Sequence, residues 1–259
     1  MSCTISSLSY CPVKSISFQS IQSCEINKNI GIVNDRIFAF SRNLDLEKAK
    51  LFEKDVKERN LNNFLTLKNS PVLNKYNFSY EKNILTLTLN KKDIVSISAE
   101  DPKERLLLAN KLMELESSLL KPIMLLKNIE FPFFDTSSSN NVFNSMSLIN
   151  LNSIKDFEKK IDENVEPQRF RANIYIDGLE PWVERNLLGK IIKINNVSFK
   201  VEKNIPRCVA INLKPKTDNN SINLLQSLKK TYNHFDMGIY LTPLSSGKIE
   251  IGNKLEDYN

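Results

Sequence analysis

The alternation of apolar and polar residues predicts a chain built mostly from β-strands. Apolar and small polar residues alternate from Ile5 to Ile26, and Pro12 within this stretch fits a strand edge or a bulge. We therefore expect two short strands there. Gly31 supplies a turn before residues 33–40, where the apolar run at Ile37 to Phe40 is typical of a buried strand.

Three further stretches have strand patterns. Phe64 to Leu67 is expected to begin a strand, and residues 76–80 and 84–89 alternate as the two arms of a hairpin. Residues 190–201 predict a second hairpin that turns at Asn195-Asn196, because asparagine tolerates the positive φ of a two-residue turn. A strand is also expected at Val209 to Leu213.

Helical spacing is confined to a few segments. Leucines recur every three or four residues between Asp101 and Lys121, where Pro122 ends the pattern. Asn152 can cap a helix that ends before Pro167, and Ser221 to Lys230 reads as a short amphipathic helix. The charged stretch 46–63 is expected to be a solvated helix or loop. The predicted fold class is therefore α+β, mostly β. Residues 127–150 are the segment where we expect a domain boundary.

Composition narrows the class of protein. The chain has 259 residues, of which 41% are hydrophobic and 25% charged, as in soluble globular proteins. No apolar run is long enough to span a bilayer, and the N-terminus lacks a basic segment followed by an apolar one. We expect a cytoplasmic protein that is not bound to a membrane. The net charge of +6 is compatible with nucleic acid or any anionic ligand, but the lysines are scattered, so charge alone does not decide a partner. We expect no nucleic-acid partner.

The chain has four cysteines and one histidine. Cys3, Cys11, Cys24 and Cys208 have neither zinc-finger nor CxxC spacing, so a disulfide framework is not expected. His234 stands in a polar stretch without a visible partner, and we predict a surface residue rather than a catalytic base.

The best candidate for a reactive or metal-binding group lies in the stretch Asn204-Ile205-Pro206-Arg207-Cys208. A cationic neighbour favours thiolate over thiol, and a thiolate is both a nucleophile and a soft metal ligand. Cys208 can equally be a small buried hydrophobe at the start of a strand, because free cysteine is among the most buried residue types. The local sequence leaves both interpretations open.

Short motifs along nearly the whole chain resemble a known family. Residues 169–174, 179–182, 189–194 and 206–208 follow the order of the MOSC domain, namely an FRPN-like strand, an acidic-Pro-aromatic turn, a hairpin and an RC pair. Residues 238–240 and 246–253 look like its closing strands. Pro12-Val13-Lys14-Ser15 and Asn34-Asp35-Arg36 resemble the signatures of the N-terminal β-barrel domain that precedes it. The resemblance implies a β-barrel-like domain at 1–128 and a MOSC domain at 129–259.

The resemblance also implies a cofactor and its contacts. MOSC domains bind molybdopterin, and the cysteine of the RC pair ligates molybdenum, which makes Cys208 both the metal ligand and the catalytic residue. A phosphate-bearing pterin needs arginine forks, a lysine and hydroxyl groups. The implied cofactor contacts are Lys14, Ser15, Arg36, Ser137, Arg171, Asn173, Arg207 and Tyr240. Lys68, at a position where relatives often carry arginine, is left out because lysine lacks the bidentate fork.

The function implied is that of the amidoxime-reducing component family: a molybdenum-dependent oxidoreductase that reduces N-hydroxylated small molecules. Electrons would come from a separate ferredoxin, cytochrome b5-like protein or flavin reductase, and the chain is expected to be a monomer. Two alternatives are a non-catalytic cofactor carrier or sulfur-transfer accessory, and a basic binding module without metal. Pro206, Ala172 and residues 214–218 depart from the family pattern.

Overall fold

A computed structural model describes residues 2–16, 18–134, 146–220 and 222–256. Sixteen strands and four α-helices lie in these ranges. The strands are β1 Thr4–Tyr10, β2 Gln19–Ile21, β3 Ser23–Asn27, β4 Gly31–Ile32, β5 Phe38–Arg42, β6 Tyr76–Glu81, β7 Ile84–Leu89, β8 Lys92–Ser98, β9 Ile123–Lys127, β10 Met146–Asn150, β11 Ile174–Asp177, β12 Ile191–Ile194, β13 Val197–Pro206, β14 Asp236–Pro243, β15 Gly247–Glu250 and β16 Leu255–Glu256. The helices are α1 Leu46–Lys54, α2 Pro102–Leu115, α3 Leu151–Ile161 and α4 Leu224–Tyr232. The predicted α+β, mostly β class is confirmed.

The largest sheet joins the two ends of the chain. Its eight strands run in the order β16-β12-β13-β14-β10-β11-β1-β2, so β1 pairs with β11, more than 160 residues later in the sequence. The sheet does not close as a ladder, but Thr4 bridges Lys254, and Ile5 N donates to Asn253 O at 2.9 Å. The first strand therefore contributes directly to the core of the C-terminal half, which includes Ile5, Leu148, Ile174 and Ile239.

A second core fills the N-terminal half. The β6-β7-β8 meander and the β5-β9 pair pack with α2, and their shared cluster includes Phe38, Phe78, Leu87 and Leu112. Leu213, from the C-terminal half, packs into the same cluster. The boundary at residue 128 stays a prediction, and the structure adds that β1 and β3 each pair with strands on both sides of it.

Several local predictions need correction. Phe64 to Leu67 forms only an isolated bridge with Ser41, because the chain turns at residues 66–70. Val209–Asn212 is a short 3-10 helix rather than a strand, with Ile211 N donating to Cys208 O. The cap of α3 is Asn150, whose side chain accepts from the backbone N of Asn152.

The hairpins form as predicted. Ile84–Leu89 pairs with Tyr76–Glu81, and Ile191–Ile194 pairs with Val197–Pro206 across Asn195, whose φ is 53°. The strand β8 was not predicted. None of the helices in the described ranges is long and apolar enough to cross a membrane.

Candidate functional site

A cavity of about 500 Å³ brings the two halves of the chain together around Cys208. Its walls come from the loop after β1, the ends of β5 and β13, the turn before β6, and the paired strands β10 and β14. The lining residues most relevant to chemistry are Lys14, Ser15, Phe18, Arg36, Arg42, Lys68, Ser147, Arg171, Arg207, Cys208 and Tyr240.

The charge of the cavity wall has one sign. Six of its side chains are cationic, namely Lys14, Arg36, Arg42, Lys68, Arg171 and Arg207, and no Asp or Glu is found among the described residues that line it. Like charges gathered in a partly enclosed space repel one another, and the low dielectric strengthens that repulsion. An anionic ligand would relieve it.

Three of the predicted contacts hold a left-handed backbone conformation. Ser15, Arg36 and Arg171 have φ values of 62°, 56° and 54°. This region is unfavourable for residues with a Cβ: each instance costs about 1–3 kcal/mol and persists only where the surrounding structure enforces it. Such conformations concentrate at functional sites because they aim side chains in directions that regular strands do not reach. All three side chains line the cavity.

A buried carboxylate enforces one of these conformations. Asp35 is fully buried; one oxygen accepts from the backbone N of Cys11 at 2.7 Å, and the other pairs with the Arg36 guanidinium. Asn173 Nδ2 donates to Asp35 at 3.3 Å and to Ser9 O at 3.2 Å. Burial raises the pKa of the Asp35 carboxyl, and the Arg36 charge opposes that shift. The network fixes the start of the Arg36 side chain.

Phe18 separates the two arginines of this wall. The Arg36 guanidinium carbon lies 5.3 Å from the centre of the Phe18 ring, and that of Arg171 lies 5.1 Å from it. Both distances are within the range of cation–π attraction. Lys14, also in the wall, is buried and donates from Nζ to Phe133 O at 3.1 Å. We call Lys14, Arg36 and Arg171 the arginine side of the cavity.

Arg207 uses its guanidinium differently. Nε donates to Met237 O at 2.8 Å, Nη1 donates to Phe170 O at 2.7 Å, and Nη2 also donates to Met237 O. Burial lowers the pKa of this guanidinium. Because the fork is committed to main-chain carbonyls, Arg207 fixes the backbone beside Cys208 and adds positive charge to the wall.

Cys208 is the one cysteine of the chain that is exposed. The interpretation of Cys208 as a buried cysteine at the start of a strand is therefore wrong. The residues after Cys208 form a 3-10 helix instead of a strand. We call Pro206–Cys208 with this helix the thiol side of the cavity. Cys3, Cys11 and Cys24 are buried, and burial raises their pKa values to about 12, 11 and 12.

The floor between the two sides is built by paired strands. Ser147 of β10 lies opposite Tyr240 of β14, and both line the cavity. Gly238 has a φ of 80°, and a Cβ there would overlap the carbonyl of Leu148, so only glycine allows this approach of the strands. Ser147 Oγ and Asn173 Oδ1 lie 2.9 Å apart.

Most of the predicted contacts converge on the cavity. Lys14, Ser15, Arg36, Arg171, Arg207, Cys208 and Tyr240 line it. Asn173 instead lies buried behind the wall, where it joins Ser147 to Asp35. Ser137 lies outside the described residues.

Four residues that line the cavity were not predicted from the sequence. Lys68, which was excluded for lacking a fork, does line the cavity. Arg42 ends β5, and cations at strand ends were the signal that identified the other members. Phe18 and Ser147 carry no comparable sequence signal, because their roles depend on which strands become neighbours.

Two other candidates lie elsewhere. The indole N of Trp182 donates to Asp156 at 2.7 Å, which places the acidic-Pro-aromatic turn against α3. His234 is half-buried beside Trp182 and Tyr232, with Nδ1 accepting from Asp236 N at 3.1 Å. Burial lowers its pKa. Neither Trp182 nor His234 lines the cavity.

Comparison with known proteins identifies the C-terminal part of the chain. The family model described as the MOSC domain matches residues 137–256. The matched residues contain the thiol side, the strands β10 and β14, and Arg171 of the arginine side, whereas Lys14 and Arg36 lie outside the match.

Two curated proteins are similar to part of the chain. Molybdenum cofactor sulfurase of Caenorhabditis briggsae is 35% identical over 98 residues, which are 36% of this chain and 14% of that protein. Molybdenum cofactor sulfurase of Drosophila willistoni is 33% identical over 101 residues, which are 38% of this chain and 12% of that protein. The chain thus spans about one seventh of the length of these relatives or less.

Among solved structures, the YUAD protein from Bacillus subtilis aligns over 98% of this chain and 94% of its own, with 10% identity and a TM-score of 0.46. YiiM from Escherichia coli aligns over 43% of this chain and 52% of its own, with 20% identity and a TM-score of 0.33.

Proposed function

We propose that the cavity binds the molybdenum cofactor and that the chain reduces N-hydroxylated compounds with it. The observation that carries this proposal is the combination of six cations and one exposed thiol around a single cavity, with no carboxylate among its described lining residues. A pterin phosphate needs the cations, and a soft metal needs the thiolate. The donor set therefore fits the cofactor that MOSC relatives are named for.

The arginine side would hold the phosphate. Arg36 and Arg171 present guanidinium groups, and charge-assisted hydrogen bonds contribute about 1.5–3 kcal/mol each. Lys14 adds a buried positive charge, and Ser15 a hydroxyl group. Phe18 keeps the two arginines apart, so that they approach one anion from different directions.

The thiol side would hold the metal end. Cys208 directly follows Arg207, whose guanidinium donates hydrogen bonds to Met237 O and Phe170 O and so fixes the backbone there. When bound, the cofactor supplies two-electron chemistry: an N-hydroxyl group, two electrons and two protons give the N–H compound and water. The chain's contribution is to place the reacting centre at Cys208, within a positively charged cavity.

The electron donor is proposed to be a separate protein, namely a ferredoxin, a cytochrome b5-like protein or a flavin reductase. We also propose a monomer located in the cytoplasm. Turnover would then require either such a protein or a chemical reductant, and NADH alone would not support it.

The decisive experiment is elemental analysis of protein produced in a host competent for molybdopterin synthesis. We expect bound molybdenum and reduction of benzamidoxime by reduced methyl viologen. Cys208→Ala should retain pterin, measured as its fluorescent oxidation product, and lose reduction. Cys24→Ala, outside the cavity lining, is the matched control and should keep both. Wild-type protein that contains neither molybdenum nor pterin would refute the proposal.

A second candidate function has its own supporting observation. The curated relatives are named molybdenum cofactor sulfurases, and Cys208 is exposed enough to meet another protein. As a sulfur carrier, the Cys208 thiolate would attack the terminal sulfur of a persulfide donor; the donor's S–S bond breaks and the donor leaves as a thiolate. A persulfide trapped on Cys208, together with cofactor binding but no benzamidoxime reduction, would favour this function.

A further inference from the structure

The cavity holds more positive charge than one cofactor phosphate requires. The arginine side together with Asp35 has a net charge of about +2, which matches a phosphate dianion. Arg42 and Lys68 line the same cavity and are additional to that set. Neither is balanced by a carboxylate among the described lining residues. A second anionic group would therefore be attracted to them.

Arg42 is well placed for such a group. Its Nε donates to Asn62 O at 2.9 Å, which orients the guanidinium. Within the described ranges, no hydrogen bond or ion pair is made by its two terminal nitrogens. A carboxylate or a phosphate can accept two parallel N–H bonds from one arginine, and these nitrogens can supply them.

Lys68 lines the same cavity as Arg42 and stands on a compact turn. The side chain of Asn69 accepts from Thr66 N at 2.9 Å and donates to Phe64 O at 3.0 Å, and Ser70 N donates to Thr66 O at 2.8 Å. The turn is attached to β5 because Leu65 N donates to Phe40 O at 2.9 Å. The two cations thus come from segments that are hydrogen-bonded to each other.

We propose that Arg42 and Lys68 form an anion subsite that binds a carboxylate or phosphate of the substrate, so that the chain selects anionic N-hydroxylated compounds. This inference rests on the proposed function. The same chemistry would also suit a second phosphate of an enlarged cofactor, and the experiment distinguishes these two sources.

The test compares benzamidoxime with 4-carboxybenzamidoxime, which share the reacting group and differ by one carboxylate. Isothermal titration calorimetry should show that wild-type protein binds the carboxylated compound about tenfold more tightly. Arg42→Gln/Lys68→Gln should abolish that preference. Lys92→Gln/Lys190→Gln, which removes the same charge outside the cavity lining, should retain it.

Kinetics provide the second readout. In the Arg42→Gln/Lys68→Gln variant, KM for the carboxylated compound should rise about tenfold relative to KM for benzamidoxime, so that the ratio of the two kcat/KM values falls by the same factor. Equal binding of the two compounds by wild type would overturn the subsite. Loss of pterin or molybdenum from the double variant would assign the two cations to the cofactor and also overturn it.

The outcome of the parent proposal can be read separately. If neither compound is reduced but the carboxylated one binds preferentially and the double variant loses that preference, the subsite stands and the reductase function fails. If both compounds are reduced with the same KM and the double variant changes neither, the reductase stands and the subsite fails.

Discussion

The arginine side and the thiol side of the cavity use the same residue type for opposite purposes. On the arginine side, Arg36 is held from behind by the buried Asp35 and directs positive charge into the cavity. On the thiol side, Arg207 gives its fork to the carbonyls of Phe170 and Met237. The fold thus holds Arg36 in position to contact a ligand. Arg207 instead holds the backbone in position, so that the Cys208 sulfur can contact the ligand. The groups that the guanidinium nitrogens contact therefore indicate whether an arginine in a cavity wall binds ligand or supports the backbone.

The largest effect is expected where the arginine side meets the core. Asp35→Ala removes the acceptor of Cys11 N and Asn173 Nδ2 and leaves Arg36 without its carboxylate, so the free energy of unfolding should fall by about 3–5 kcal/mol. Chemical denaturation measures this change.

Asp35→Asn keeps one acceptor and should lie between Asp35→Ala and wild type. Asp93→Ala, at an exposed position, is the control and should change stability by less than about 0.5 kcal/mol. Equal unfolding midpoints for Asp35→Ala and Asp93→Ala would show that the Asp35 network does not support the wall.

A smaller effect should distinguish the two kinds of arginine. Arg207→Lys loses bonds to two carbonyls, so we expect a loss of about 2 kcal/mol in unfolding free energy. Arg171→Lys keeps a cation near Phe18 and should cost about 1 kcal/mol or less, yet it should reduce the bound molybdenum more. Stability and metal content measured on both variants should therefore rank them in opposite orders. The same order in both measurements would remove the distinction.

The smallest effect on the fold should come from the thiol itself. Cys208→Ala should change stability by less than about 0.5 kcal/mol, because the side chain is exposed. Iodoacetamide at pH 8 should modify Cys208 alone in the folded protein.

The other three thiols resist this reagent for two reasons. They are buried, and with a pKa of about 11 Cys11 is ionised in roughly one molecule per thousand at that pH. Mass spectrometry after proteolysis locates the label, and denatured protein labelled at all four cysteines is the control. Labelling of Cys3 or Cys24 in the folded protein at the rate of Cys208 would contradict this account.

Local pattern predicted the strands and helices well where one chain segment determines them. The hairpin at residues 76–89 and the leucine pattern of α2 depend on side-chain periodicity and turn residues, which can be read directly. The segment after Cys208 could not be read this way. Its apolar residues suit a strand, but Ile211 packs against α4 and Leu213 enters the N-terminal core, so tertiary contacts determine its 3-10 conformation.

The same distinction applies to the site. Lys14, Arg36 and Arg207 stand in short motifs, and they were predicted because those motifs resemble the MOSC family. Asn173 was predicted to contact the cofactor but lies behind the cavity wall. Its burial depends on Ser147 and Asp35, which approach it from distant segments of the chain. Phe18 became identifiable only when Arg36 and Arg171 were found on either side of its ring.

The position of β1 inside the large sheet has a consequence for biosynthesis. A ribosome adds about 5–20 residues per second, so β1 leaves the exit tunnel roughly ten to thirty seconds before β11, its antiparallel neighbour, has been translated. During that interval β2 covers one edge of β1, and the other edge exposes unpaired backbone groups to any passing strand. Until β11 emerges, this edge of β1 lacks its native partner and is open to non-native pairing.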